Sequence, residues 1–476
     1  METSAATLTG GRTEVSDEAL EELRTVIRGD VLTRDDPGFD AVRVPYNAMY
    51  PGDPAIVVQA SGTADVVDAV NFAREHGLLV AVRGGGHSIA GLSSVDGGML
   101  IDLAAMNGVV VDPEARTVIA EGGALWGDVD RETQAFGLVA PGGIVSDTGV
   151  AGLTLGGGEG WVRRKYGLSC DSLLSAQLVC ADGEVRTASS DVNPDLYWGI
   201  RGGGGNFGIA TSLTFRLYEH GPMNAFAGVF YPADQAADVW RKFRDWAATA
   251  PNEVTALSGC TTLPASENTP PEIHNTPFIV VGAVYAGDPE EGMTVLQPLR
   301  EFGTPLADIS QIMPFGGVQQ AFDEFYARGT LRSYWKSTFV DELTDEIIDI
   351  LAPRAQNRGS IRTFVVLFLM GGAINEVGAE DTPYGERDAN WMVSIDGNWE
   401  DPAEDDKVIA WVRETWSQVH ELGTGSVYLN FTGIADEDAD VGVDSGHGAN
   451  LERLVAIKQK YDPDNLFRLN NNISPS

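Results

Sequence analysis

Leu78-Leu79-Val80-Ala81-Val82-Arg83-Gly84-Gly85-Gly86-His87-Ser88 is the stretch on which the reading of this chain turns. Five apolar residues read as a short strand, and it runs straight into three consecutive glycines. Glycine reaches backbone conformations closed to other residues, so such a loop can uncover successive N–H groups. That makes a nest for an anion such as a pyrophosphate. The pattern is neither a Walker loop nor a G-x-G-x-x-G turn opening a helix. A single glycine run is equally a plain tight turn, but His87 at its end adds a nucleophile.

Two more glycine clusters follow. One spans Pro141-Gly142-Gly143, Gly149-Val150-Ala151-Gly152 and Gly156-Gly157-Gly158-Glu159-Gly160; the other is Arg201 followed by Gly202 to Gly205, Asn206, Phe207 and Gly208. Turns alone do not explain so many. An extended ligand lying along bare backbone does.

Around these loops the composition is globular. The chain has 476 residues, 43% apolar and 21% charged, which argues against disorder and for two or three domains. The longest apolar run, Phe364–Met370, has seven residues, against the ~18 a membrane helix needs. Met1–Arg12 lacks the basic start and apolar core of a secretory signal, so a cytoplasmic location is expected. Cys170, Cys180 and Cys260 show no ligand spacing; no metal site is expected, and they read as buried thiols. Acidic residues number 69 against 32 basic, for a net charge of −37, and six of the cations are Lys. With no Lys/Arg stripe to meet phosphates, nucleic acid is not an expected partner. Acid spread over the whole chain suits a salt-rich, halophilic cytoplasm; an ordinary acidic protein is the alternative.

Thr63 or Asp65 can cap a helix over Val66–His76. Met99–Leu103, Gly108–Val111 and Thr117–Glu121 read as strands, Trp126–Phe136 as a helix, and Gln177–Ala181 with Glu184–Ala188 as a hairpin about Asp182-Gly183. Past Gly221-Pro222 glycine thins out. Strands are expected at Ala225–Tyr231, Phe278–Tyr285, Arg362–Met370, Asn390–Ile395 and Ser426–Phe431, and helices at Gln235–Thr249, Pro289–Phe302 and Asp405–Leu422. This cadence suggests one sheet with helices on one face. Asp436–Asp444 reads as an acidic loop, Asn450–Lys460 as a helix and Tyr461–Ser476 as an irregular tail.

From Ala55 to Leu217 the chain resembles the FAD-binding domain of the vanillyl-alcohol oxidase superfamily, most of all its berberine-bridge-enzyme-like branch. Gly84-Gly85-Gly86-His87-Ser88, the run Gly152 to Gly160, Lys165 to Asp171, and Gly203 to Ile209 stand in family order. Downstream, Tyr428-Leu429-Asn430-Phe431 resembles the family's Tyr-x-Asn-aromatic signature, and Lys460 to Arg468 with Asn470-Asn471-Asn472-Ile473 its C-terminal tail. Ala256–Arg354 matches least.

The resemblance implies an α+β fold. Residues 1–220 would form a two-part FAD-binding domain and 221–435 a substrate domain, an antiparallel sheet covered by helices. The segment 436–476 would return to the FAD domain. FAD would be covalently held through His87. Around it would lie Arg83, Gly84, Gly85, Gly86, Ser88, Gly142, Gly143, Thr148, Gly149, Gly152, Leu153, Gly158, Gly208, Ile209, Asn430, Asn470 and Asn472. Many relatives carry a second tether, a Cys where this chain has Val145. Thr148 matches the position governing oxygen access to the flavin.

For catalysis the resemblance puts Tyr428 first, as the base taking a hydroxyl proton while hydride leaves for flavin N5; the rival reading is a core Tyr. Glu159, flanked by glycines, would be costly to bury unpaired, so it either faces water or assists. Strand alternation puts Ser394 and Asp396 on one face, making Asp396 a further pocket candidate or simply exposed. The implied function is oxidation of a hydroxyl on a small molecule, a sugar or alcohol, with O2 or another acceptor reoxidising the flavin. A dehydrogenase, a non-covalent FAD enzyme and a catalytically silent flavin binder are the alternatives. The sequence assigns no oligomeric state.

A charge of −37 opposes the compact state by self-repulsion. The Debye length falls to ~3 Å at 1 M salt. The unfolding temperature should therefore climb steeply between low and molar KCl in a calorimetric series; a flat salt dependence would remove the halophile reading.

Overall fold

The computed structural model describes residues 2–433 and 442–476. Val80–Arg83 lies at one edge of a four-stranded sheet, followed by Met99–Asp102, Ile56–Gln59 and Asp30–Thr33. The first three run parallel and the last pair antiparallel. Parallel neighbours need a crossover, and the helix Thr63–Glu75 supplies it, burying Val66, Ala69, Val70 and Ala73. This helix begins before Val66, with Gly62 at its N-cap and no side-chain cap. Asp65 instead accepts N–H groups from Arg28, Gly29 and Ser61, so the capping expected of Thr63 or Asp65 is not made.

A five-stranded antiparallel sheet stands beside it, ordered Val185–Ser189, Leu173–Val179, Ile209–Arg216, Thr117–Glu121 and Val109–Asp112. Val179 and Ile209 enter the core of the four-stranded sheet and so join the two.

The second half is built on a larger antiparallel sheet. Its order is Ala307–Asp308, Met223–Pro232, Phe278–Tyr285, Val254–Thr261, Phe364–Leu369, Trp391–Trp399 and Arg332–Val340, with Gln311–Pro314 also paired to Met223–Pro232. Period-two alternation gives it two unlike faces. Tyr231, Val393, Ile395 and Trp399 join one core, covered by the helices Ala236–Ala247, Asp345–Leu351 and Asp405–His420. Phe226, Phe230, Trp335, Phe364, Phe368 and Met392 point the other way, into a core shared with Ile144, Val145 and Trp161 of the glycine-rich half.

Several elements differ from the sequence reading. Pro289–Leu296 is α-helix, but Gln297–Glu301 continues as a 3-10 helix; Pro298 has no N–H to extend the α pattern. Ser426–Phe431 is not a strand. The segment runs along the sheet edge, where Phe339 donates to the Ser426 carbonyl (3.2 Å). The Ser337 hydroxyl then takes over as partner of the Tyr428 backbone, and Leu429–Phe431 turns as a 3-10 helix. The strands Val254–Thr261 and Arg332–Val340 had no counterpart in the sequence reading. The acidic loop expected at Asp436–Asp444 lies outside the described residues up to 441, and Val443–His447 is helical.

After the helix Leu451–Tyr461 the tail packs onto the first half. Leu454, Ile457, Tyr461 and Ile473 enter the core of the five-stranded sheet, and Leu466 and Phe467 that of the four-stranded one. The buried Lys458 ammonium fixes the turn, donating to Asp462 (2.7 Å) and to the Asn206 and Phe467 carbonyls (2.8 and 2.9 Å). All three cysteines are buried and unbridged. No described helix is long and apolar enough to cross a membrane.

Candidate functional site

Gly85 and Gly149 meet backbone to backbone. A Cβ on either would lie 2.4 Å from the backbone nitrogen of the other, so no side chain fits. Other glycines serve the same loop packing. A Cβ on Gly142 would strike Trp126, one on Gly143 Leu153, and one on Gly158 Ser169, all within 2.9 Å. The glycine clusters thus make the loops fit each other as well as baring backbone.

Between these loops and the aromatic sheet face lies a deep cavity. Gly84, Gly85, Gly86, His87, Ser88, Thr148, Gly149, Gly152, Leu153, Glu159, Gly208, Ile209, Tyr428, Asn430 and Asn470 are on its wall, as are Tyr46, Val145, Tyr326, Trp335 and Phe431. Arg83, Gly142, Gly143, Gly158, Asp396 and Asn472 are not. Arg83 is buried in an ion pair with Asp102 (2.8 Å), which braces the sheet edge.

The Gly85–Gly149 contact sets a second meeting. His87, two residues after Gly85, has its Nε2 2.6 Å from Asp147 Oδ1, two residues before Gly149. Arg328 donates from Nε to the other carboxylate oxygen (2.9 Å) and from Nη2 to the Gly85 carbonyl (2.6 Å). Burial works against the Asp147 charge, but the bonds from His87 and Arg328 outweigh it and hold the carboxyl down to about 2. The His87 ring stacks on Tyr46 at 4.2 Å.

Glu159 and Tyr428 also stand on the cavity wall, both buried. Glu159 Oε1 accepts from the Tyr384 hydroxyl (3.0 Å), while Oε2 has no partner. Burial pushes this carboxyl up to about 7, against the pull of Arg163 and Tyr384. Tyr428 accepts from the Gly158 N–H (3.1 Å) and the Asn430 amide (2.9 Å). Burial and the nearby Glu159 charge raise its phenol well above the ordinary range all the same. Asp396 is fully buried, which rules out the exposed alternative. It accepts from Tyr326 (3.1 Å) and Ser394 and is pushed up to about 7 by burial, so it reaches the cavity through Tyr326.

Asp147, Arg328, Tyr384 and Tyr326 were not picked out from the sequence. Asp147 adjoins Thr148 and stands two residues before Gly149, and a carboxylate in a glycine-rich loop was a usable signal. Arg328, Tyr326 and Tyr384 lie in stretches with no motif.

The wall fits a flavin dinucleotide. A Cβ on Gly152 or Gly205 would meet nothing within 4 Å, so the cavity space beside them is open to a ligand. Asn470 Oδ1, buried on the same wall, lacks a partner. Residues 54–189 match the FAD binding domain model and residues 427–474 the berberine and berberine-like model. The fold and cavity are thus those of a FAD-linked oxidoreductase. An FAD-linked oxidoreductase of Aspergillus terreus, pgmH, is 32% identical over 94% of each chain. The crystal structure of 6-hydroxy-D-nicotine oxidase from Arthrobacter nicotinovorans is 27% identical, with a TM-score of 0.83 over 94% of this chain and 98% of that one. A chitooligosaccharide oxidase shares the fold at 24% identity, with a TM-score of 0.81 over 96% of this chain and 99% of that one. The chain belongs to the berberine-bridge-enzyme-like family of FAD-linked oxidoreductases.

Glu159 gives the site a pH signature. Its folded value lies near 7 against an ordinary 4.5, so within that window the folded state keeps a proton the unfolded chain has lost. The group's contribution to stability is full below the unfolded value and is lost as the pH rises through the folded one, by about 1.4 kcal/mol per pH unit inside the window. Glu159→Gln removes this titration. Urea unfolding should show the wild type losing stability relative to Glu159→Gln as pH rises from about 4.5 to 7; a constant difference would place the carboxyl in water.

Proposed function

We propose that this enzyme carries one FAD, attached covalently through His87, and oxidises a CH–OH group of a small sugar or alcohol, with O2 as the terminal acceptor. The observation that carries the reading is the buried Glu159, its Oε2 unpartnered, on one wall with Tyr428. Bound flavin would supply the hydride acceptor at N5. Val145 offers no nucleophile for a second tether, and burial pushes the Cys170 thiol up, leaving almost no thiolate. Thr148 on the wall is the proposed passage for oxygen.

The motif reading ranks Tyr428 as base and Glu159 as assistant. Burial favours the exchange of those roles. A base works best with a pKa near the working pH, and Glu159 sits near 7 while Tyr428 is raised far above it. Tyr428 accepts two hydrogen bonds, which orient its oxygen and leave its proton to donate to the substrate oxygen. Glu159 takes the hydroxyl proton as hydride departs. Asp396 holds Tyr326 in the aromatic wall.

A CH–NH substrate is the second reading. Tyr326, Trp335, Tyr428 and Phe431 share the wall with this carboxylate, a setting that also suits an amine.

Anaerobic stopped-flow reduction with sugars, alcohols and amines tests the reading. A CH–OH substrate should bleach the flavin. Glu159→Gln should slow that step by about 10²–10⁴-fold, and Tyr428→Phe should slow it less. The reverse ranking would return the base to Tyr428. Bleaching by amines alone would select the second reading. Bleaching by none would leave a flavin binder without this activity.

A further inference from the structure

We propose that Asp147, held in turn by Arg328, is the positioning residue that readies His87 for covalent attachment of the flavin. This deepens the covalent reading above and rests on it.

The tautomer follows from the partners. An ionised carboxylate accepts hydrogen bonds and cannot donate one. His87 Nε2 lies 2.6 Å from Asp147 Oδ1, so Nε2 carries the hydrogen. A neutral imidazole held this way has its lone pair on Nδ1, for which there is no hydrogen-bond partner among the described residues. Arg328 and His87 together keep Asp147 ionised. Stacking on Tyr46, at 4.2 Å and 24° between planes, limits how far the ring can turn.

Arg328 also spans the two loops. Its Nη2 donates to the Gly85 carbonyl (2.6 Å) and to the Asp147 carbonyl (3.2 Å). It comes from the chain just before the strand Arg332–Val340 of the large sheet. Assembly of the two halves thus completes the apparatus that orients His87.

The attachment balances as follows. A bond forms between Nδ1 and the flavin 8α carbon, and one C–H bond of that methyl group breaks. The imidazole becomes cationic as Nδ1 gives up its lone pair, and Asp147 supplies the countercharge across the Nε2 bond, the role of the third member in a nucleophile–base–carboxylate triad. The methyl hydrogen and the imidazole hydrogen, with one electron pair, end on the flavin ring, which is left reduced by two electrons. O2 then takes both electrons and both protons and leaves as hydrogen peroxide.

The test mixes the full-length apoprotein with FAD in air and follows acid-stable flavin with time by intact mass. Non-covalent FAD affinity is measured in parallel. Asp147→Asn should bind FAD as the wild type does but attach it up to about 10⁴-fold more slowly, the loss known for neutralising the carboxylate of a nucleophile–base–carboxylate triad. Asp147→Glu should recover part of the rate. Wild-type attachment by Asp147→Asn would overturn the proposal. Arg328→Gln, which removes the Nε bond to Asp147 (2.9 Å) and leaves His87 in place, should also slow attachment, and wild-type attachment by it would overturn the proposal even if Asp147→Asn fails to fold. Acid-stable flavin in His87→Ala would instead overturn the covalent reading itself.

Discussion

The close approach of Gly85 and Gly149 is the constraint on which the site depends. A Cβ at either position would lie 2.4 Å from the other's backbone nitrogen, so two loops carrying side chains there could not approach this closely. Because they do, the residues two steps away on each loop meet, and His87 finds Asp147. Thr148 and Gly149 reach the same wall as Gly84 to Ser88. Arg328 fastens both loops to the half that carries the large sheet. The placement of His87 beside Asp147 is thus a consequence of two hydrogen atoms standing where Cβ atoms would be.

The large sheet contributes by having two unlike faces. Helices seal one with aliphatic and aromatic side chains. The other turns Trp335, Phe364 and Phe368 toward the glycine loops and buries Asp396 with Ser394 beneath Tyr326. A dry wall of this kind raises buried carboxyls. Glu159 and Asp396 both rise to about 7, while Asp147, held by two donors, falls to about 2. The cavity wall therefore carries one carboxyl that holds its proton near neutrality, Glu159, while the carboxyl bonded to His87 stays ionised. The first suits proton transfer and the second suits orientation.

The glycine loops, His87, Glu159 and Tyr428 were legible because each sits in a dense local pattern of glycines, aromatics or asparagines. The roles of Glu159 and Tyr428 were less so, since burial, which has no local signature, ranks them. Asp147 and Arg328 are 181 residues apart and meet through tertiary packing. Tyr384 reaches Glu159 across 225 residues. Ser426–Phe431 alternates like a strand, but the Ser337 hydroxyl takes the Tyr428 backbone groups and ends the pairing. Arg83 adjoins the nest in sequence, yet Asp102 on the neighbouring strand claims its charge.

The cavity between the glycine loops and the aromatic sheet face is the proposed home of the flavin, and a crystal structure of the protein purified with its natural cofactor is the decisive measurement. Continuous density should run from His87 into the cavity, in contact with the wall that carries Gly152, Gly205, Tyr428 and Asn470. Flavin density elsewhere on the molecule, or an empty cavity in protein that retains flavin, would contradict it.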